Sequence, residues 1–250
     1  MPNQPNPPKS KDAKNKDVTI DFHGNQLILH GDGTLFMPAE GLLIVSDLHL
    51  EKGAALSHGA PLPAFDTKDT LARLAQRIEQ SQPTKLLCLG DSFHTVERAF
   101  LLPPDALASL HEIAARTSII WVTGNHDRNL PDRLPGTACD EMYIGNLRFC
   151  HEADFLPLQP TISGHFHPKA RIKLRARALS ARCFVQNDLD LILPAFGSYT
   201  GGLNILDEAF AGFLTANPTI HLIHDNKTFS MPFQKSRFFR THQSQKISKI

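Results

Sequence analysis

Three short apolar runs, Gly41 to Ser46, Lys85 to Leu89 and Ile119 to Val122, alternate with two stretches whose apolar residues recur at helical spacing. In the first stretch Leu71, Leu74, Ala75 and Ile78 form one stripe, with Asp66 expected as the helix N-cap and Asp69 in the first turn. In the second, Pro103 and Pro104 open a helix that carries Leu107, Leu110 and Ile113 on one side. Strand, helix, strand, helix, strand implies parallel strands joined by right-handed crossovers, and ligands of such sheets gather beyond the carboxyl ends of the strands. Further strand signals precede this core at Val18 to Phe22 and Gln26 to His30. Others follow at Leu147 to His151, Arg171 to Arg177, Cys183 to Gln186, Leu189 to Leu193 and Thr219 to Ile223, with few helix signals between them. An α/β protein with a second sheet packed on the first is therefore expected.

A chain of 250 residues, 41% of them hydrophobic and 20% charged, can enclose one core and is no disordered polymer. Residues 1–17 are rich in Pro, Asn and Lys and are expected to form a disordered arm; 18–225 form the domain. From Lys227 onward no acidic residue occurs, so 226–250 is expected to be a mobile basic tail. No stretch approaches the roughly 20 apolar residues of a membrane span. The first residues lack the apolar core of a secretory signal, so a cytoplasmic location is expected, with no membrane partner. The four cysteines include no C-x-x-C pair and are expected to be buried thiols without a catalytic role.

Chemistry is concentrated in five clusters: Asp47-Leu48-His49, Gly90-Asp91-Ser92-Phe93-His94, Gly124-Asn125-His126-Asp127, His151, and Gly164-His165-Phe166-His167. Four directly follow or end an apolar run, which places their polar residues on the rim of a sheet. If the chain stays extended there, Asp47 and His49, or His165 and His167, share a side, so each pair can grip one ion. Carboxylate, imidazole and amide oxygen form a mixed nitrogen and oxygen set suited to manganese, iron, zinc or nickel rather than calcium or iron–sulfur. Asp47, His49, Asp91, Asn125, His151, His165 and His167 are more ligands than one catalytic ion with an open position uses, so two divalent ions are expected. A lone histidine after a strand is more often a hydrogen-bonded or surface residue, and that reading is kept for His23, His30, His58, His111, His221, His224 and His242. Glu51 and Arg128 adjoin the clusters and fit either reading.

D-x-H, G-D-x-x-H, G-N-H-D, a single His and G-H-x-H, in that order, resemble the signature of the calcineurin-like metallophosphoesterases. The resemblance runs from about Leu42 to Leu203. The strings SDLHLEKG, LGDSFH, GNHDR, SGHFHP and LPAFGSYTGG are similar to the bacterial ligase-associated DNA-damage-response endonuclease family. It implies an α/β/β/α architecture, a two-sheet β sandwich flanked by helices. It also implies that Asp47, His49 and His167 hold one metal ion, Asn125, His151 and His165 a second, and Asp91 bridges them, with manganese the favoured ion. Water activated between the ions would attack phosphorus in line with the leaving oxygen. His126 would act as general acid or hydrogen-bond donor, its ring oriented by Asp127. His94 is a further candidate catalytic group, since the nuclease subunit of the double-strand-break repair complex is similar in having His there; it fits equally well as a partner of a metal ligand.

After His167, Lys169, Arg171, Lys173, Arg175 and Arg177 would share one face of a strand, and Arg171, Lys173 and Arg175 are candidate substrate-binding residues. Such a row suits a phosphodiester backbone, and equally a solvated face that keeps a sheet edge from aggregating. A net charge of +1 does not point to nucleic acid by itself. The expected function is a two-metal phosphodiesterase or DNA endonuclease, in DNA repair, and the resemblance implies an ATP-dependent DNA ligase, an exonuclease and a helicase as partners. A phosphatase or pyrophosphatase of a small nucleotide or metabolite is the alternative, and a non-catalytic scaffold the second; a scaffold would be expected to have lost ligands.

Overall fold

The computed structural model describes residues 17–53, 65–154, 158–173, 178–214 and 218–240. The expected arm, apart from Asp17, lies outside them, as do Arg175 and Arg177.

Two sheets face each other. In the first, β1 (Val18–Phe22), β2 (Asn25–Leu29), β3 (Leu35–Met37), β4 (Leu42–Ser46), β5 (Lys85–Leu89), β6 (Ser118–Val122) and β7 (Thr137–Cys139) lie in chain order. Pairing is antiparallel from β1 to β4 and parallel from β4 to β7. The crossovers are helical: α1 (Phe65–Ser81) joins β4 to β5, and α2 (Val96–Phe100) with α3 (Pro104–Ala114) joins β5 to β6.

The second sheet contains β8 (Glu141–Ile144), β9 (Leu147–Cys150), β10 (Thr161–Ser163), β12 (Ala178–Gln186), β13 (Asp190–Ile192), β14 (Thr219–His224) and β15 (Lys227–Pro232). Their spatial order is β15-β14-β12-β13-β10-β9-β8, and β11 (Lys169–Lys173) pairs with the free length of β12.

Strand alternation distributes the core. From β4, Leu43 and Val45 pack with Leu71, Leu74, Ile78, Leu110 and Ile113 under the helices. Leu42 and Ile44 point the other way, into a layer between the sheets with Phe149, Ile162, Phe184 and Leu191. Every residue of β4 is buried, as expected for a strand covered on both faces. The outer face of the second sheet buries Cys183, Val185, Ile220 and Leu222 beneath Phe210 and Phe213, supplied by a 3-10 turn at Glu208–Phe210 and the residues after it.

Three expectations change. Asp66 lies inside the first turn of α1 rather than at its N-cap, and its Oδ2 accepts the Gly53 N–H at 2.7 Å. The short α2 is an element the periodicity missed; Thr95 caps it, its hydroxyl accepting the Arg98 N–H at 3.3 Å. The segment from Lys227 is no free tail: β15 pairs along the whole of β14, turning at Asp225 (φ 49°) and Asn226 (φ 53°). Two consecutive left-handed residues make the two-residue hairpin whose twist matches its strands, and Asp and Asn tolerate that conformation. The described residues continue to Arg240, with Phe238 buried and bridged to Ile172. The folded unit therefore passes the expected limit at 225. Phe238→Ala should destabilise the protein by about 3 kcal/mol in urea denaturation, the usual cost of truncating a buried phenylalanine; a loose tail would give no change.

Candidate metal centre

Strands β4, β5 and β6 of the first sheet and β9 and β10 of the second all end on one rim. Asp47, Asp91, Asn125, His151 and His165 follow them within three residues. The loops are held to one another by their backbones: His49 N–H donates to Asp91 O at 2.9 Å, Leu50 N–H to Ser92 O at 2.9 Å and His94 N–H to Leu50 O at 3.0 Å.

The chain is not extended at the ligand positions. Asp47 (φ 53°), His49 (44°), Asp91 (45°), His165 (68°) and His167 (45°) are all left-handed. Non-glycine residues rarely adopt that conformation, and each instance costs on the order of 1–3 kcal/mol unless its surroundings enforce it. Asp47 and His49 still converge, whereas His165 and His167 do not serve one group, as the alternation suggested. The donor atoms of Asp47, His49 and His167 lie within 4.8 Å of one another, and so do those of Asp91, His151 and His165.

In the first group His167 Nε2 is 3.0 Å from Asp47 Oδ1 and 3.3 Å from His49 Nε2. Asp47 Oδ2 accepts the Ser46 hydroxyl and the His165 N–H, the latter at 3.0 Å. In the second group His151 Nε2 is 3.4 Å from Asp91 Oδ2 and 3.1 Å from His165 Nδ1. Asp91 Oδ1 accepts the His126 N–H at 3.0 Å. His151 Nδ1 lies 3.2 Å from Leu89 O, and a hydrogen bond there leaves Nε2 as the atom turned to the group. Asp47 links the groups, its Oδ1 lying 3.9 Å from His151 Nδ1.

Burial raises the cost of charge on both aspartates, but the neighbouring imidazoles and donated hydrogen bonds outweigh it and hold them below the ordinary carboxylate range. Burial keeps His49 neutral, its pKa lowered to about 3. Burial would lower His151 too, but the Asp91 and Asp47 carboxylates raise it to about 9. Asp47 Oδ1 and His49 Nδ1 are buried without a hydrogen-bond partner of good geometry. Unpaired acceptors and facing imidazole nitrogens in one pocket are poorly satisfied alone and well matched to divalent cations.

Around this core, His126 is exposed, its Nε2 3.9 Å from Asp91 Oδ2. Its ring stacks on His94 with centroids 6.1 Å apart, and both rings stand beside His49. Asn125 is exposed and lines a recess together with His151, Arg128 and Arg148. Asp127 does not orient the His126 ring. Its buried carboxylate accepts the Gly124 N–H at 2.7 Å, the Ser92 N–H at 2.6 Å and the Phe93 N–H at 3.3 Å, bracing the β6 loop against the β5 loop. Glu51 is structural, bonded to the Thr67 hydroxyl at 2.9 Å. Lys169, Arg171 and Lys173 do share the outer face of β11, while Ala170 and Ile172 are buried.

Sequence reasoning missed Ser46, Glu152 and the 196–197 loop. Glu152 Oε1 is 3.5 Å from His165 Nε2. Phe196 and Gly197 N–H groups donate to the carbonyls of Ser46 and Asp47 at 2.8 and 3.2 Å. The GSYTGG string was the available signal. Two glycines are required by space: a Cβ on Gly164 would lie 1.7 Å from Ser46 Oγ, and one on Gly90, itself at φ 69°, 2.2 Å from His151 Nδ1.

The profile of the calcineurin-like phosphoesterase family matches residues 42–232. The chain belongs to that family. It is accordingly a metal-dependent phosphoesterase, a hydrolase. A Pseudomonas putida nuclease, MPE, is similar in structure: TM-score 0.67 and 27% identity, over 86% of this chain and 100% of the nuclease. The Escherichia coli phosphoesterase Yfce aligns over 77% of this chain and 99% of its own, with 16% identity and a TM-score of 0.41. No curated protein matches the sequence.

Two measurements test this geometry. A cation requires neutral His151, whose proton is held to about pH 9, so metal affinity should rise about tenfold per pH unit up to about pH 9. In the metal-free protein the same charge stabilises the fold fully below the unfolded value of 6.5, and this contribution is lost as pH rises through about 9. Manganese titrations across pH check the first point; an affinity flat above neutrality would contradict it. Asp127→Asn should lower stability by about 1–3 kcal/mol in denaturant melts, because a buried backbone donor loses its acceptor.

Proposed function

We propose that this phosphoesterase is a two-metal phosphodiesterase whose substrate is DNA. The observation that carries the reading is the pair of donor groups, Asp47, His49 and His167 beside Asp91, His151 and His165, on one rim. Asn125, in the recess with His151, would complete the second set, and Asp91 would bridge, its Oδ2 facing His151. Nitrogen and oxygen donors accept manganese, iron, zinc or nickel, and manganese is the ion to test first. Divalent ions held there would supply an activated water and offset charge on the phosphate.

The chain's own groups do the rest. His126, exposed and tethered through its backbone to Asp91, is placed to give a proton to the leaving oxygen. His94 stacks behind it and would fix the plane of its ring. The Lys169, Arg171 and Lys173 face of β11 would contact successive phosphates; Arg175, the third residue expected to bind substrate, lies outside the described residues. Similarity to a nuclease along that protein's entire length favours a polynucleotide over a small metabolite. The sequence strings that resemble the ligase-associated endonucleases add a role in DNA repair in the cytoplasm, alongside a ligase, an exonuclease and a helicase.

The test compares a chromogenic phosphodiester, the matching monoester and single-stranded DNA, using metal-stripped protein refilled with manganese. Diester and DNA should both be cleaved, and Asp91→Asn should abolish both while weakening metal uptake. His126→Ala should keep its metal and lose about 10²–10⁴-fold in kcat, the contribution of a proton donor. Monoester hydrolysis alone would identify a metabolite phosphatase, and inactivity with every metal a scaffold.

A further inference from the structure

Beside the metal centre, on the same rim, lies a second polar recess of about 570 Å³, lined by Lys169, Ser180, Arg182, Gly31 and the Asp225–Asn226 turn. Its position follows from the backbone. Asp47 O accepts the Gly197 N–H at 3.2 Å, Ser46 O the Phe196 N–H at 2.8 Å, and Ala195 O the Arg182 Nη1 at 2.8 Å. One short loop thus connects the carboxyl end of β4 to the recess. Lys169 is two residues beyond His167, and both pack against Gly202: a Cβ there would meet His167 O at 2.5 Å and the lysine stem at 2.8 Å.

The charge in this recess is unbalanced. Lys169 and Arg182 stand directly opposite each other on β11 and β12, and like charges so placed repel. Among the described residues no carboxylate pairs with Lys169; the charges acting on it are the cations Arg182 and Arg171. Arg182 donates to two backbone carbonyls, Ala195 O and Asp32 O. The Asp32 carboxylate is already bonded to Arg77 at 2.6 Å and to Thr34. Asp225, on the opposite wall, pairs with His224 at 3.4 Å. Asp225 is 80% exposed with only a histidine beside it, and Asp32 draws on Arg182, so two part-buried cations and a hydroxyl outweigh one solvent-facing acid and favour an anion.

Resting on the nucleic-acid reading above, we propose that the Lys169–Ser180–Arg182 recess binds a backbone phosphate of the DNA strand away from the bond being cut. Arg182, held at two points, would offer its remaining N–H groups and its charge to the phosphate. Lys169 adds a charge on a mobile stem, and the Ser180 hydroxyl donates a hydrogen bond. The recess opens the row that continues through Arg171 to Lys173, whose ammonium lies 5.9 Å from the Phe239 ring centre. The strand is thereby gripped on one side of the metals, so affinity grows once it is long enough to reach the recess.

The test uses the full chain without added metal, so that DNA is bound and not cut, with oligothymidylates of increasing length followed by fluorescence anisotropy. Lys169→Gln and Ser180→Glu should each weaken the longer oligonucleotides about tenfold and reduce the slope of log affinity against log salt by roughly 0.7, one phosphate contact on a single strand. Ser180 is exposed, so its variant folds and places a carboxylate in the recess; an unchanged melting temperature verifies this. Wild type that binds and cleaves DNA, with both variants binding equally well, would overturn the subsite and leave the nuclease reading standing. Wild type that cleaves no nucleic acid would overturn that reading instead. Inorganic phosphate is the second arm: if it binds wild type and not Ser180→Glu while no oligonucleotide does, the recess takes a free anion and the strand-binding proposal fails.

Discussion

The buried carboxylate of Asp47 is the interaction on which the arrangement depends. It leaves β4 in the first sheet, yet Ser46 Oγ, His165 N and the His167 ring, the last two from beyond β10 in the second sheet, are its partners. Its backbone is bonded to Gly90 O on one side and to Gly197 N on the other. A carboxylate without water is expensive unless every lone pair has a partner. The burial that seals the sandwich therefore also obliges four separate segments to meet at one residue. Sheet packing and construction of the site are the same event.

Strain at the rim follows from that convergence. The left-handed turns at Asp47, His49, Asp91, His165 and His167 bring side chains from three strand ends within reach of one another and of His151. Straight strand continuations would spread them along the rim. What holds these conformations is elsewhere: the hydrogen bonds between the β4 and β5 loops, the Asp127 brace, and glycines at 90 and 164 where no side chain fits. Asp47 Oδ1, buried without a well-formed hydrogen bond, adds to the cost in the metal-free protein. Metal binding is then coupled to stability, because the cation relieves contacts that the fold itself imposes.

The strands of the core were legible because buried parallel strands must be continuous apolar runs, and β4, β5 and β6 are such runs. Four of the five clusters were legible for the same reason: polar residues just past a run have nowhere else to go but the rim; the short β10 before His165 gave no run of its own. Side-chain direction was not. Asp127 follows His126 in the chain, but its carboxylate turns inward to three N–H groups while the imidazole faces solvent, an outcome set by loop curvature. The β14–β15 hairpin was hidden by composition, because β15 opens a stretch free of acids and increasingly basic toward its end, which reads as solvated tail. The Asp225–Asn226 pair was its signal, and Thr228, the one buried residue of β15, marks the inward side. Lys169 and Arg182, thirteen positions apart, become neighbours only through the β11–β12 register.

Charge arithmetic ties the centre to its surroundings. Asp47 and Asp91 offset two of the four positive charges that two divalent ions would bring, and neutral imidazoles offset none. With both ions bound the centre would stay electropositive, Glu152 beside His165 being the next acid, and it is bordered by the β11 row. The net charge of the whole chain is only +1, so compensating acids lie elsewhere on the molecule. A monoester or a free phosphate could satisfy the centre alone. Under the proposed function, cations set in a row along a strand, at a spacing of about 7 Å for alternate residues, would follow the repeat of a polynucleotide backbone.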